Sequence, residues 1–408
     1  MLLIAICKKR GNTMKEKLDA LIQKYTETVQ AHFRWLHTHP ELSGQEKETA
    51  AYIASALRDM GLEPMEGIGG YGVVALIHGK APGRCVALRA DMDALPITEA
   101  TDLPYKSQNP GVMHACGHDA HVSMLLGVAM VLNELKDTFT GCVKLIFQPS
   151  EENSADSGAK RMIADGVLEN PHVDVIMGQH IDAMAETGTI GARPGAASSM
   201  SDRFYIDVEG AASHVARPHL GVDAIAAAAQ IITAMQTIVS RNVDPKKRAV
   251  VGIGQIEGGE RYNVLPSHVR MLGTCRTLDR DTRDLVERRM GEIIQGIAIA
   301  TGAKCNLRYD RGYPSIMNQP ELVELLRQAA VPICGADHVV IPKEVGLGGE
   351  DFSFYTEHVP AVYYKTGCHK PGTPKFPSHN EHLVVDPACL PIGMQIMATC
   401  ALLYLEGK

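Results

Sequence analysis

The segment CVALRADMD, Cys85 to Asp93, is a short apolar run that ends in two aspartates. A run of this length, bounded by turn residues, reads as a strand buried on both faces. Others of the same form surround it: GVVALIHG at 72–79, CVKLIFQ at 142–148 and VDVIMGQH at 173–180. Helical stretches lie between them, from about His118 to Leu135 and through GAKRMIADGVL at 158–168. Such alternation predicts an α/β fold, a mostly parallel sheet flanked by helices. Upstream, Lys15 to Met60 carries a helical pattern that stops at Gly61, where a C-terminal cap glycine belongs.

The period then changes. DRFYIDVEG, AVVGIGQIEGG, SHVRMLGTCRTL and KCNLRYDR read as half-exposed strands, and two long helical patterns separate them. This α+β package, 199–312, interrupts the α/β pattern, which returns with PELVELLRQAAV, AVYYKTG and a last helix from about Pro391. The expected organisation is a discontinuous catalytic domain, 14–198 with 313–408, and an inserted lid domain. A chain of 408 residues is long enough for two, since domains run to about 100–200 residues each.

With 40 basic and 47 acidic residues the formal charge is -7, which argues against nucleic acid as a partner. Ten cysteines form no CxxC pair, and several sit inside apolar runs, so a reducing cytoplasm is expected. The start MLLIAICKKR puts its apolar stretch before its basic one, the reverse of a signal peptide, and is too short to span a bilayer. Met14 is read as an alternative initiator, and no membrane association is expected.

Groups able to bind a metal recur at one topological address, following a strand. CVALRA leads into Asp91 and Asp93, CVKLIFQPS into Glu151 and Glu152, VDVIMGQ into His180, and AVYYKTG through a loop to His379. In an open parallel sheet the carboxyl ends of the strands share an edge, so distant residues converge there. Between the first two clusters stands MHACGHDAH, 113–121, at the start of a helix. Cys116 and His118 fall near that helix N-terminus, where a thiolate is favoured, and thiolate, imidazole and carboxylate together suit zinc or a similar ion. Asp119 and His121 are read as supports and His114 as lining the loop. If Glu152 binds the ion, its neighbour Glu151 is free to take the proton of a water acidified by it and pass that proton to a leaving amine. A rival reading makes Cys116 a nucleophile activated by His118.

WLHTHPELSGQEKETAAYI, VALRADMDALPI, MHACGHDAHVSMLLGVA, LIFQPSEE, GQH, QIEGGERYNVLP, GTCRT and GGEDFSFY occur in the order seen in the M20 metallopeptidases. From His32 to Leu403 the chain resembles the amidohydrolase branch of that family, with its hippurate hydrolases, N-acetyldiaminopimelate deacetylases and auxin-conjugate hydrolases. The resemblance implies two divalent ions per subunit, zinc, manganese, nickel or cobalt, and an insert through which many members dimerise. It implies Cys116, His118, Glu152, His180 and His379 as ligands and Glu151 as general base. Asp91 and Asp93 stand where relatives have a ligand histidine and a supporting aspartate; Asp93 is expected to orient a ligand. From the insert, His214 resembles the histidine that donates to the scissile carbonyl, and Asn263 and Arg276 resemble residues that hold a substrate carboxylate.

The sequence departs from the pattern at Ala212 and Ser213, where paired glycines are common, at Glu381 and Leu383 after the last histidine, and at Gln179 and Asp182 beside His180. The expected activity is hydrolysis of an N-acyl or N-aroyl amino acid by a homodimer or homotetramer. A dipeptidase or aminopeptidase of the same fold is the alternative.

Overall fold

The computed structural model describes residues 12–346 and 348–407. The reading of MLLIAICKKR falls outside the described residues. The chain divides into two compact units, one of Met1–Ala197, Ile316–Glu344 and Asp351–Lys408, the other of Ser198–Ser315 and Val345–Glu350. No described helix is long and apolar enough to cross a membrane.

The first unit opens with α1 (Asn12–Thr38) and α2 (Lys47–Asp59). The single helical pattern read over 15–60 is therefore two helices: Pro40 cannot extend α1, and Gly44 turns the chain with φ +77°. Next come β1 (Met65–Ile68), β2 (Gly72–His78), β3 (Cys85–Asp91), α3 (His118–Glu134), β4 (Cys142–Gln148), α4 (Gly158–Ala164) and β5 (Val175–Glu186). The short strands β6 (Ile190–Gly191) and β7 (Gly195–Ala196) lead out of this half.

The second unit is an antiparallel sheet backed by two helices. It contains β8 (Met200–Glu209), β9 (Ser213–His214), α5 (Ala224–Thr237), β10 (Ala249–Gly258), β11 (Val264–Leu265), β12 (His268–Thr277), α6 (Arg280–Thr301) and β13 (Lys304–Tyr313). The sheet runs β10-β12-β8-β13, with β9 and β11 as a separate pair. Its own core joins Phe204, Ile206 and Val208 of β8 to Ile231 and Met235 of α5 and to Met290 and Ile294 of α6. Asp279 caps α6 by accepting the Thr282 N–H.

The chain returns to the first unit through β14 (Met317–Asn318), α7 (Pro320–Cys334), β15 (Val339–Val340), the short α8 (Phe352–Tyr355), β16 (Ala361–His369) and α9 (Cys389–Leu405). Its ten-stranded sheet follows the order β1-β2-β4-β3-β5-β16-β14-β7, with β6 and β15 off this path. β4, β3, β5 and β16 are parallel neighbours, and the antiparallel β1 and β2 form one edge. Every residue of β3 and β4 is buried, the charged Arg89, Asp91 and Lys144 included, in keeping with their largely apolar runs. One correction concerns β5: it runs to Glu186, paired as far as His369 of β16, so His180 lies within the strand rather than after it.

α3 packs between α1 and α9 and lies on β3, and all but its last two residues are buried. A side chain at Gly127, midway along it, would bring a Cβ within 2.2 Å of Met394 Sδ and 2.6 Å of Val29 Cγ2. Overpacking of this kind costs about 1–3 kcal/mol. Gly127→Val should therefore lower the urea midpoint with an unchanged slope.

Candidate metal centre

α3 begins abruptly. Gly117 takes φ +83°, and a Cβ there would lie 2.5 Å from Ile181 Cγ1, so only glycine lets this turn close onto β5. The turn places Cys116 and His118 beside His180, with Cys116 Sγ 3.3 Å from His180 Nε2. Ser150, at φ 53°, turns the chain out of β4 and delivers Glu151 and Glu152 to the same place. His379 also adopts a left-handed φ of 68°, and its N–H donates to Ala115 O at 2.7 Å, which ties its loop to the Cys116 turn. Strained backbone of this sort persists where surrounding contacts hold it.

The sites expected from the sequence do gather. Donor atoms of Cys116, His118 and His180 lie within 4.8 Å of one another, as do those of Cys116, Glu152 and His379, and of His118, Glu151 and Glu152. Cys116, His118 and Glu152 each belong to two of these groups. Glu152 Oε1 lies 3.2 Å from His379 Nε2, and the half-exposed His379 marks the solvent side.

The backbone fixes both buried imidazoles. His118 Nδ1–H donates to the Asp93 carbonyl at 2.8 Å, and His180 Nδ1–H donates to the Ile181 carbonyl at 2.6 Å. A carbonyl only accepts, so Nδ1 carries a proton in each ring and Nε2 is the nitrogen that can offer a lone pair when the ring is neutral. His118 Nε2 is buried with no hydrogen-bond partner among the described residues. His121 differs: its Nε2 accepts the Ile181 N–H at 2.9 Å and its Nδ1–H donates to Asp91, so neither nitrogen is available to an ion.

Asp93 contacts two of the candidate ligands. Its Oδ2 accepts from Glu152 N–H at 2.9 Å and from Ser43 Oγ at 2.6 Å, while its carbonyl holds His118. Asp91 is clamped by Arg89 and His121, which outweigh burial and keep its carboxyl well below the usual carboxylate range. The local field favours positive charge. Burial opposes a charged His118, yet Asp91 and Cys116 hold it well above the usual histidine value. Cys116 and then Glu152 push His379 up to about 10. His180 goes the other way, driven well down by burial and then by the charge of Lys365.

Arg89, inside an apolar strand, received no role from the sequence. Fully buried, it donates from Nε to Gln148 Oε1 at 2.9 Å, from Nη1 to Asp91 and from Nη2 to Asp351 Oδ1 at 2.8 Å. Asp351, from GGEDFSFY, in turn donates its N–H to Glu151 Oε1 at 3.4 Å. A lone charge in an apolar strand was the available signal for this network.

Asp119 faces away from the cluster. Its Oδ2 lies 2.6 Å from His37 Nδ1, and His37 Nε2 lies 3.2 Å from Glu99. His114 is buried, and neither of its ring nitrogens has a partner among the described residues. In the second unit, β9 and β11 bring His214 and Asn263 together: His214 pairs with Val264, and Val215 N–H donates to Asn263 O at 3.1 Å. Arg276 donates to Thr274 Oγ1 and to Cys275 O, with no ion pair to a carboxylate among the described residues.

Cysteine, histidine and carboxylate donors converging on a mostly parallel α/β sheet define a metal-dependent hydrolase class of site. The model of peptidase family M20/M25/M40 matches residues 87–403, and the chain belongs to that family. It is 42% identical over 307 residues to the N-acyl-L-amino acid amidohydrolase of Geobacillus stearothermophilus, covering 75% of this chain and 82% of the relative. It is 37% identical over 408 residues to thermostable carboxypeptidase 2 of Saccharolobus solfataricus, covering 98% and 99%. The crystal structure of the Bacillus subtilis YXEP protein, a dinuclear metal binding peptidase from the M20 family, matches with a TM-score of 0.82 at 34% identity. That match covers 94% of this chain and 99% of the YXEP chain.

Two outcomes are expected from these contacts. Replacing Arg89 by Met strands two buried carboxylates, and breaking a buried pair in this way costs about 3–5 kcal/mol; denaturant unfolding at neutral pH reads the loss. The second concerns His37. Burial alone would lower its pKa, but Asp119 and Glu99 outweigh it and raise the ring from 6.5 to about 9. The folded state thus holds the proton more tightly, so the stability it contributes is complete below pH 6.5 and declines as pH rises through about 9. The His37→Gln protein should lack that decline when unfolding is measured between pH 6 and 10.

Proposed function

We propose that this chain is a metal-dependent amidohydrolase that cleaves N-acyl or N-aroyl amino acids into a carboxylic acid and a free amino acid. One observation carries the reading: Cys116, His118, Glu152, His180 and His379 gather beside Glu151, and the buried His118 Nε2 among them has no hydrogen-bond partner among the described residues. The donor set fits two divalent ions of the zinc, manganese, nickel or cobalt type. In that arrangement Cys116, His118, Glu152, His180 and His379 hold the ions, and Asp91 and Asp93 stay off them as supports. Such ions supply Lewis acidity toward the amide carbonyl and toward water.

The protein's own groups carry the protons. Glu151 takes a proton from the attacking water, and its carboxylic acid then delivers it to the departing nitrogen as the C–N bond breaks. The Asp351 N–H steadies Glu151 during both transfers. In this reading His214 donates to the amide oxygen as negative charge develops there, and Asn263 and Arg276 hold the substrate carboxylate. The second unit serves as lid and as the dimer or tetramer surface, and the protein works in the cytoplasm.

The likeness to a carboxypeptidase favours a second reading, as a peptidase. Both reactions release an amino acid from an amide, and they differ in the group on the carbonyl side. The deciding experiment strips the metal, restores zinc, manganese, nickel or cobalt singly, and follows amino-acid release from N-acetyl and N-benzoyl amino acids beside free dipeptides. Restored release from the acylated compounds supports the amidohydrolase. Release from dipeptides alone supports the peptidase. Activity untouched by the chelator removes both and leaves the Cys116 nucleophile. In the metal-loaded protein, Glu151→Gln should lower kcat by about 10²–10⁴-fold without changing the melting temperature.

A further inference from the structure

Lys365 lies on β16 at a position that the reaction outlined above does not use. β16 runs parallel to β5, and the register sets Lys365 opposite His180 and Tyr363 opposite Gly178. Paired residues on neighbouring strands leave the sheet on the same face. Lys365 therefore projects from the face that carries His180. Its other neighbour is Gly191 of β6, which has no side chain to cover it. Even a Cβ built on Gly191 would come no nearer than 3.9 Å to Lys365 Cβ. The lysine is exposed while His180 beside it is buried.

The two cations that β3 and β4 place on this face are committed. Arg89 is spent on Gln148, Asp91 and Asp351, and Lys144 donates to the carbonyls of Val167, Glu169 and Pro171 at 2.7–2.9 Å. Lys365 has no hydrogen bond or ion pair among the described residues; its ammonium lies 5.8 Å from the Tyr363 ring centroid. Asp182, opposite Gly367, is the acid best placed to neutralise it, but its Oδ1 accepts the Met184 N–H instead. An unpaired ammonium next to a histidine that binds cations is electrostatically unfavourable by itself. A substrate anion beside the two positive centres removes that conflict.

We propose that Lys365 binds a carboxylate of the substrate and sets the enzyme's preference for anionic over neutral amides. The proposal rests on the amidohydrolase reading and adds the residue that selects charge on the catalytic unit. An ammonium on a flexible four-carbon stem suits the task, since it follows a carboxylate without demanding one planar geometry. An N-acyl amino acid offers its α-carboxylate, the group also assigned above to Asn263 and Arg276, and a dicarboxylic acyl chain offers a second.

The test uses full-length, metal-loaded wild type, Lys365→Met and Lys365→Arg in steady-state kinetics. One pair of compounds is N-acetyl-L-leucine and its carboxamide; the other is N-succinyl-L-leucine and N-butyryl-L-leucine. Lys365→Met should raise KM about tenfold or more for the compound whose carboxylate Lys365 binds, with kcat little changed. The member of the pair that lacks that carboxylate should be unaffected, and Lys365→Arg should stay within a few-fold of wild type. Loss of discrimination in the first pair identifies the α-carboxylate, and in the second pair the acyl carboxylate. Equal effects within both pairs, or no effect on any of the four compounds, overturn the proposal. So does an altered metal affinity with unchanged KM, which would make Lys365 a tuner of His180. Wild type inactive on all four compounds is a different failure: it overturns the amidohydrolase reading, and the Lys365 assignment falls with it.

Discussion

A guanidinium sealed inside a β-sheet is expensive unless its donors find acceptors, and each nitrogen of Arg89 finds one, which joins three segments far apart in sequence. Gln148 at the end of β4, Asp91 at the end of β3 and Asp351 before α8 all converge on it. The candidate centre hangs from these contacts. Through Asp91 the clamp reaches His121, and through His121 the Ile181 N–H beside His180. Through Asp351 it reaches Glu151. A salt bridge deep in the sheet thus sets the positions of groups that line its edge.

Around this clamp the electrostatics divide the work. Carboxylates and the Cys116 sulfur make the neighbourhood of His118 and His379 attractive to positive charge. His180, desolvated by burial and next to Lys365, is driven toward its neutral form, the state in which an imidazole binds an ion. One small volume therefore holds both the charge that attracts a cation and a ring unprotonated and ready for it.

Much of the fold was readable because buried strands write themselves as apolar runs. CVALRAD and CVKLIFQ became fully buried parallel neighbours, and the change to alternating patterns after Ser199 marked a sheet with one open face. Boundaries that depend on partners were not readable. Nothing near His180 announces that β5 continues to Glu186, since the continuation depends on pairing with β16, far along the chain. Cys116, His118, Glu151, Glu152, His180 and His379 stood out by residue type and were brought together in the structure. Their supports were harder to see. Asp119 sits within HACGHDAH yet bonds to His37, because the first turn of α3 points it toward α1, and no local rule gives that direction. Arg89 has one partner two residues on, Asp91, but Gln148 and Asp351 lie far along the chain, and the setting of Lys365 depends on strand pairing that no local pattern gives.

The two buried imidazoles take their orientation from main-chain carbonyls, those of Asp93 and Ile181. A point substitution replaces a side chain and leaves the carbonyl oxygen in place. Side chains around the two rings can therefore change without removing the acceptors that orient them, an arrangement that suits a family whose members bear names as different as carboxypeptidase and amidohydrolase.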